Sequence, residues 1–152
     1  MFVVTPPTSS EPDKRVSDSV LADLRSYVRE FGNASGESAD RVIQSKCSCG
    51  NAQFWMECSE EDGVARRTCT SCHLVAYIGD SREHWDGADT GDATCPCGKK
   101  VFDIVVGYCL RADSDEVNWM IVGARCATCS AIGVYADWSI DFEPSKALLD
   151  QS

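Results

Sequence analysis

Near the N-terminus, hydrophobic residues recur with the spacing of an α-helix. One apolar stripe at i, i+3/i+4 spacing is formed by Val20, Leu21, Leu24, Val28 and Phe31. The stripe predicts a helix from about Asp18 to Phe31, capped by Ser17 or Asp18 and ended by Gly32. Residues 39–43 are expected to add one helical turn. We expect the stripe to dock onto the rest of the fold; a groove-binding or dimerising helix is the alternative.

From residue 47 onwards the pattern changes to short apolar runs typical of β-strands, and this pattern occurs twice. Each copy contains Cys-x-Cys-Gly, a strand, a hairpin, Cys-x-x-Cys and a further strand. In copy 1 the two cysteine motifs lie at 47–50 and 69–72, and a turn is predicted between them at 60–63. In copy 2 the cysteine motifs lie at 95–98 and 126–129, with a predicted turn at 113–116 and a return strand at 119–122. Aligning the cysteines places Phe54 against Phe102, and a one-residue gap places Tyr77 against Tyr135. This internal duplication predicts two similar small units in tandem.

The paired motifs hold eight of the ten cysteines. A tetrahedral zinc site made of cysteines alone requires four converging thiolates, and a hairpin brings its two cysteine turns together. The glycine after each first motif, Gly50 or Gly98, suits a left-handed or crowded backbone. We therefore expect two structural Zn²⁺ ions per chain. One is assigned to Cys47, Cys49, Cys69 and Cys72, and the other to Cys95, Cys97, Cys126 and Cys129. Closed four-cysteine coordination leaves no position for a reactive water, so hydrolytic zinc is disfavoured.

With this ligand pattern and strand order, residues 47–140 resemble the zinc-ribbon class of domains, although the first turn has Cys-x-Cys rather than the commoner Cys-x-x-Cys. The resemblance implies a three-stranded sheet whose two cysteine turns hold a structural zinc. The expected fold is mainly β (small α+β): two tandem zinc-ribbon-like three-stranded units with an N-terminal α-helix. Its segments are a flexible leader (1–16), a helical segment (17–46), ribbon 1 (47–80), an acidic connection (81–94), ribbon 2 (95–143) and a tail (144–152), with a short strand from 138 ended by Pro144.

Other uses of the cysteines remain open at this stage. Disulfides, or iron in rubredoxin-like sites, would also use four-cysteine sets. Cys69-x-x-Cys72-His73 matches a haem-attachment pattern, but the equivalent of His73 in copy 2 is a serine. His73 could otherwise act as a spare or indirect metal ligand. The remaining cysteines, Cys58 and Cys109, lie near the end of the first strand of each copy, but their positions in the aligned copies differ by three residues. We expect both to be buried thiols, with redox sensing or ligand exchange as the alternative.

Charge narrows the functional classes. The chain of 152 residues carries 14 Lys+Arg and 24 Asp+Glu, a formal net charge of −10, and none of its segments is basic. Because nucleic-acid binding relies on neutralising phosphates, we do not expect it here. The N-terminus lacks a secretory pattern and the chain lacks a membrane-length apolar run, which leads us to expect a cytoplasmic protein with no membrane partner, whose thiols face a reducing environment.

No catalytic arrangement of side chains is recognisable in the sequence. The acidic residues 86–92 do not follow the calcium-loop pattern, and His84 is expected in a loop next to Trp85. We therefore expect a non-catalytic zinc-binding protein that acts as an acidic adaptor for another protein, with a basic partner surface fitting its charge. One alternative is a transcription or translation regulator that contacts nucleic acid or polymerase through a ribbon. Another is a thiol redox or metal-responsive sensor.

Overall fold

A single antiparallel sheet and one long helix make up most of the structure. The computed structural model describes residues 14–36, 38–111 and 116–140. In chain order the elements are α1 (Lys14–Ala34), β1 (Arg41–Gln44), β2 (Phe54–Ser59), β3 (Val64–Cys69), β4 (Val75–Tyr77), α2 (Ser81–His84), β5 (Gly91–Asp92), β6 (Phe102–Leu110), β7 (Val117–Cys126) and β8 (Ile132–Ser139). This confirms a mainly β fold with an N-terminal helix. No helix in the described ranges is long and apolar enough to cross a membrane.

The sheet order β4-β3-β2-β6-β7-β8 sets two three-stranded units side by side. We call them repeat 1 (β2–β4) and repeat 2 (β6–β8). The turn at 60–63 joins β2 to β3, as predicted, and residues 119–122 lie in β7. The predicted turn at 113–116 lies almost wholly outside the described residues, as does Pro144. The strand expected from 138 is the end of β8 rather than a separate element.

The sheet pairing between the two repeats consists of one residue pair, Phe54 opposite Phe102. Directly opposed residues of antiparallel strands are related by a local twofold axis perpendicular to the sheet, and these two residues are equivalent in the duplication. The repeats are therefore related by a pseudo-twofold axis at this pair. The strand register also corrects one alignment. Arg66 and Gly123 are equivalent, because each lies three residues before the equivalent cysteines Cys69 and Cys126. Arg66 pairs with Tyr77 and Gly123 pairs with Val134, so the counterpart of Tyr77 is Val134. Tyr135 is the extra residue at a register shift in the β7–β8 pairing.

The segments that lead into the two repeats are exchanged across this axis. The segment before repeat 1, β1, pairs with β6 of repeat 2, whereas the segment before repeat 2, β5, pairs with β2 of repeat 1. Gln44 lies opposite Val105, and the equivalents of these two residues in the duplication, Asp92 and Glu57, also lie opposite each other. Each first strand is thus bordered by the lead-in strand of the other repeat.

Residues 41–44 form strand β1, so the helical turn predicted for residues 39–43 is wrong. Its residues Val42 and Ile43 are β-branched and pair with β6, whose hydrogen bonds outweigh the weak local helix preference. Asp40 anchors the entry to the strand, because its backbone N–H donates to the Tyr108 carbonyl at 2.9 Å and its side chain accepts from the Leu110 N–H at 2.8 Å.

Helix α1 is longer than the predicted segment at both ends. It begins by Lys14, so Ser17 and Asp18 lie within it and are not its N-cap. Gly32 also lies inside the helix, and the left-handed residue that follows the helix is Gly36, with φ +84°. An interior glycine costs about 1 kcal/mol relative to alanine, a loss that burial of the apolar stripe offsets. Residues 1–13 of the predicted leader lie outside the described residues.

Two hydrophobic cores lie on opposite faces of the sheet. The larger one is enclosed between the two repeats, because β8 contacts β2 and β3, which are not its neighbours in the sheet. Gly63 and Gly79 allow this close approach: a Cβ on Gly63 would lie 2.7 Å from the Trp138 Cβ. The smaller core lies under α1, where Val28 packs over Gly107 and Gly123 of repeat 2. The predicted docking role of the apolar stripe is thus confirmed for its described residues.

Candidate metal centres

The structure brings the eight predicted ligands together as two groups of four. Within each group the candidate ligand atoms all lie within 4.8 Å of one another. Four Sγ–Sγ distances are 3.5 Å for Cys47–Cys72, 3.6 Å for Cys49–Cys69, 3.4 Å for Cys95–Cys129 and 3.6 Å for Cys97–Cys126. Sulfurs bound tetrahedrally to zinc at 2.3 Å are separated by about 3.8 Å. We call these groups tetrad 1 and tetrad 2; each has the size that a tetrahedral metal ion requires.

The first two cysteines of each tetrad lie in a tight turn that contains a left-handed glycine. In repeat 1 the Cys47 N–H donates to the Asn51 carbonyl at 2.8 Å, and the Gly50 N–H donates to the Cys47 carbonyl at 2.9 Å. Repeat 2 has the same two hydrogen bonds, around Cys95. Gly50 and Gly98 have φ values of +98° and +92°, and a Cβ at either position would meet nothing within 4 Å. The expected left-handed backbone is therefore present, and crowding is not the reason for glycine.

The last two cysteines lie in a turn that ends in a left-handed residue other than glycine. The His73 N–H donates to the Cys69 carbonyl at 3.0 Å, and the Ser130 N–H donates to the Cys126 carbonyl at the same distance. His73 and Ser130 have φ values of +65° and +68°. This conformation is uncommon for residues with a Cβ, and the hydrogen-bonded turn holds it in both repeats. Sequence inspection missed it, because neither side chain is typical of a left-handed position.

Backbone donors lower the pKa of the sulfur at the same position of both tetrads, and in tetrad 1 the Cys49 N–H lowers the pKa of Cys47 as well. Burial opposes the charged form of Cys69, but N–H groups of Cys72 and Ser71 and the Asn51 side chain lower its pKa to about 5. In tetrad 2, burial is again outweighed by N–H groups that follow the cysteine, which lower the pKa of Cys126 to about 7. These are equivalent positions in the two repeats. Both sites are thus built to stabilise negative charge on the same sulfur.

Other sulfurs in the tetrads hold their protons more tightly. The Leu74 N–H lowers the pKa of Cys72, but the neighbouring Cys47 and burial outweigh it and raise that pKa to about 12. In tetrad 2 the N–H of Cys97 is likewise outweighed by burial and the other thiols, which raise the pKa of Cys95 to about 12. Four adjacent thiolates repel one another, so full ionisation requires a cation at their centre.

The two histidines take no part in the tetrads. His73 is exposed, and its ring centroid lies 5.7 Å from that of Trp55. His84 Nε2 lies 3.3 Å from Asp80 Oδ2. Within the described ranges, the two tetrads are the groups of three or more His, Cys, Asp or Glu side chains that could hold a metal, so the acidic loop 86–92 forms none. Cys69 and Cys72, which matched the haem pattern, both belong to tetrad 1.

None of the ten cysteines forms a disulfide. Cys58 and Cys109 lie outside the tetrads, as predicted. Cys109 is buried under α1, whereas Cys58 is half-buried on β2. Burial, and to a smaller extent the nearby Glu60 carboxylate, raise the pKa of the Cys58 thiol. Cys58 therefore lacks the depressed pKa of a reactive cysteine.

Comparisons with known proteins give no family for this chain. No protein-family model, curated protein or solved structure matches it. Its function must be inferred from the site. The duplicated tetrads are the feature that carries this inference.

Proposed function

We propose that the protein is a non-catalytic, zinc-binding adaptor in which each tetrad holds one structural Zn²⁺. The convergence of four sulfurs in each repeat is the observation that carries the proposal. Zinc has no geometric preference that the tetrads would violate, and four thiolates in a tetrahedron are typical of structural zinc sites. The metal would supply charge neutralisation and a cross-link between the two turns of its repeat.

A structural role fits the positions of the ligands. In tetrad 1, Cys69 is the last residue of β3, and it pairs with Phe54 at the start of β2. In tetrad 2, Cys126 is the last residue of β7 and pairs with Phe102 at the start of β6. An ion at either site would fasten the open end of its hairpin next to the junction between the repeats. Structural zinc contributes apparent binding energies of about 10–16 kcal/mol in small domains, comparable to the stability of a whole domain.

An adaptor role is supported by charge and by the closed geometry of the sites. Four sulfurs complete a tetrahedron, which leaves no open position for a substrate or water. The net charge of −10 opposes association with a phosphate backbone and favours a basic protein surface. We therefore propose protein binding rather than nucleic-acid binding or catalysis.

The metal assignment is tested by elemental analysis of the purified chain. We expect about two zinc ions per chain. The variant Cys69→Ser should retain about one, whereas the control Cys58→Ser should retain both, because Cys58 lies outside the tetrads. Chelation should abolish the β-sheet circular dichroism signal, because metal loss and unfolding are coupled. Iron in place of zinc, or equal metal content in the two variants, would contradict the assignment.

The adaptor role requires a separate experiment in the native host. The zinc-loaded chain is used for affinity capture, with chelated protein as the control, and each captured protein is then purified and titrated against the chain. A direct complex that forms only with zinc-loaded protein is the expected result. Failure to recover any direct partner would contradict the adaptor role and leave the metal assignment standing.

A second candidate function, metal-responsive or redox sensing, is favoured by the exposure of Cys49, Cys72 and Cys97. Exposed thiolates are accessible to oxidants, and oxidation of one ligand would release the ion. Peroxide should then release zinc from the native protein, and a thiol reductant should allow it to rebind. Retention of both ions in excess peroxide would eliminate this candidate.

A further inference from the structure

Four neighbouring side chains form an exposed apolar face on repeat 1, next to tetrad 1. Trp55, Leu74 and Val75 are 40%, 51% and 42% exposed, and the His73 ring lies against that of Trp55. Strand pairing places Trp55, Thr68 and Val75 in one row across β2, β3 and β4, so that their side chains share one side of the sheet. We call this surface, made by Trp55, His73, Leu74 and Val75, the Trp55 face. It contains three of the four large exposed hydrophobic residues in the described ranges.

The pseudo-twofold axis relates this side of repeat 1 to the side of repeat 2 that α1 covers. The counterpart of Val75 is Ile132 and that of Tyr77 is Val134, and both of these repeat 2 residues pack in the core under α1. The same side of the sheet is therefore covered by an amphipathic helix in one repeat. In the other repeat, Arg82 of α2 and Trp85 pack on Tyr77, and the Trp55 face beside them is left exposed.

The α1 helix of a second copy does not fit this surface in the same way. On repeat 2, α1 approaches closely because Gly107 and Gly123 leave room for Val28. Their counterparts on repeat 1 are Ser59 and Arg66. Arg66 is also held in place, because its Nε lies 2.8 Å from the Glu57 carboxylate and its guanidinium carbon lies 4.4 Å from the centroid of the Trp85 ring. The occupant must contact the Trp55 face beside Arg66 rather than over it.

The part of the chain that carries the face is acidic overall. Residues 46–94 expose two basic side chains, Lys46 and Arg82, and seven acidic ones: Glu60, Glu61, Asp62, Glu83, Asp86, Asp89 and Asp92. Asp92 lies directly opposite Glu57, in the row of the sheet next to that of Trp55. Both carboxylates are paired, Asp92 with Lys100 at 3.4 Å and Glu57 with Arg66 at 2.8 Å, so the excess of negative charge comes from the other acidic residues. Four thiolates around a divalent ion in tetrad 1 would add further negative charge next to the face. A complementary ligand is therefore basic.

We propose that the Trp55 face binds a segment of a partner protein that presents apolar side chains flanked by lysine or arginine. This inference rests on the proposed adaptor function and names its docking surface. Trp55 is the anchor, because aromatic side chains at the centre of an interface carry a large part of the binding energy. The surrounding acidic residues select basic segments and speed their association.

The test is a titration of the zinc-loaded full chain, observed by amide NMR. The probes are a synthetic amphipathic leucine/lysine peptide and a leucine/glutamate peptide of the same length. We expect the leucine/lysine peptide to shift amide signals of the Trp55 face and its strands and to bind more weakly in high salt. The leucine/glutamate peptide should cause no shifts. Trp55→Thr and Leu74→Ser should each weaken binding about tenfold. The control Tyr27→Ser removes a side chain of similar exposure, 42%, from α1 and should leave Kd within about twofold.

Several results would overturn this inference. These are equal binding by the two peptides, no binding of either peptide, shifts confined to another surface, or an undiminished affinity of the Trp55→Thr variant. A dimer that Leu74→Ser dissociates would show that a second copy occupies the face, and peptide binding that requires removal of residues 1–13 would show that the chain covers itself. Binding of an oligouridylate at the face would identify nucleic acid instead. Zinc content measured in every variant separates failure of the surface from failure of the metal assignment.

Discussion

Addition of one methyl group beneath α1 should measure how tightly this helix packs on repeat 2. In Gly107→Ala the new Cβ would lie 2.7 Å from Val28 Cγ1 and 3.4 Å from the Ala39 Cβ. The first distance is too short for carbon atoms, so α1 or β6 must shift, and such overpacking costs about 1–3 kcal/mol. The control Gly133→Ala makes the same change in β8, where the nearest atom is a Tyr135 ring carbon at 3.6 Å. We expect the control to leave stability unchanged or to raise it by about 0.5 kcal/mol.

A double-mutant cycle with Val28→Ala gives the decisive measurement. Val28 is fully buried, and its truncation removes two carbon atoms, a loss of about 2 kcal/mol including the cavity. The methyl group added at Gly107 would occupy part of that space, so the double variant should be more stable than the sum of the single changes predicts, by about 1 kcal/mol or more. Urea unfolding of zinc-loaded protein, followed by circular dichroism, provides the free energies. Strict additivity, or a Gly107→Ala variant as stable as wild type, would show that Val28 does not pack over Gly107.

Two further predictions concern the thiols. Because cysteine binds zinc as the thiolate and not as the protonated thiol, zinc affinity should rise with pH. At pH 7 the metal-free chain has Cys69 ionised, with a pKa of about 5, and Cys72 protonated, with a pKa of about 12. Calorimetry in buffers of different ionisation enthalpy should therefore detect proton release on zinc binding, and an affinity that stays constant from pH 6 to 8 would contradict this prediction. Intact-mass analysis after maleimide treatment of native, zinc-loaded protein should show the buried Cys109 unmodified, and the half-buried Cys58, whose thiol pKa is raised, should react slowly. Both should react rapidly after chelation and unfolding, and rapid native labelling of Cys109 would disprove its burial.

The tetrads could be predicted from the sequence because their geometry is encoded locally. Each Cys-x-Cys-Gly or Cys-x-x-Cys motif forms a turn whose hydrogen bonds involve residues within five positions of one another, such as that between Cys47 and Asn51. The turn at 60–63 was equally local, since it joins two strands adjacent in sequence. Because the same motif order occurs twice in the chain, the assignment of each tetrad supports that of the other. The mainly β fold and the helix on one face followed from the same short-range patterns.

The remaining features depend on contacts that are distant in sequence. Strand β1 was predicted as a helical turn because its four residues lack a periodic pattern of their own, and its strand conformation depends on pairing with β6. The counterpart of Tyr77 was misassigned because the register shift near Gly123 is a property of two paired strands. The extension of α1 past Gly32 similarly reflects packing on repeat 2. The exchange of lead-in strands had no sequence signature, because strands as short as β1 and β5 do not specify by themselves which strand they pair with.

That exchange of β1 and β5 has a consequence for the integrity of the chain. If the molecule were divided between the repeats, the first strand of each half would lose its bordering strand and expose unpaired backbone groups. Such an edge is a template for self-association with other molecules. Each half therefore protects the other from aggregation, and the chain is expected to fold and unfold as one cooperative body rather than as two separable modules.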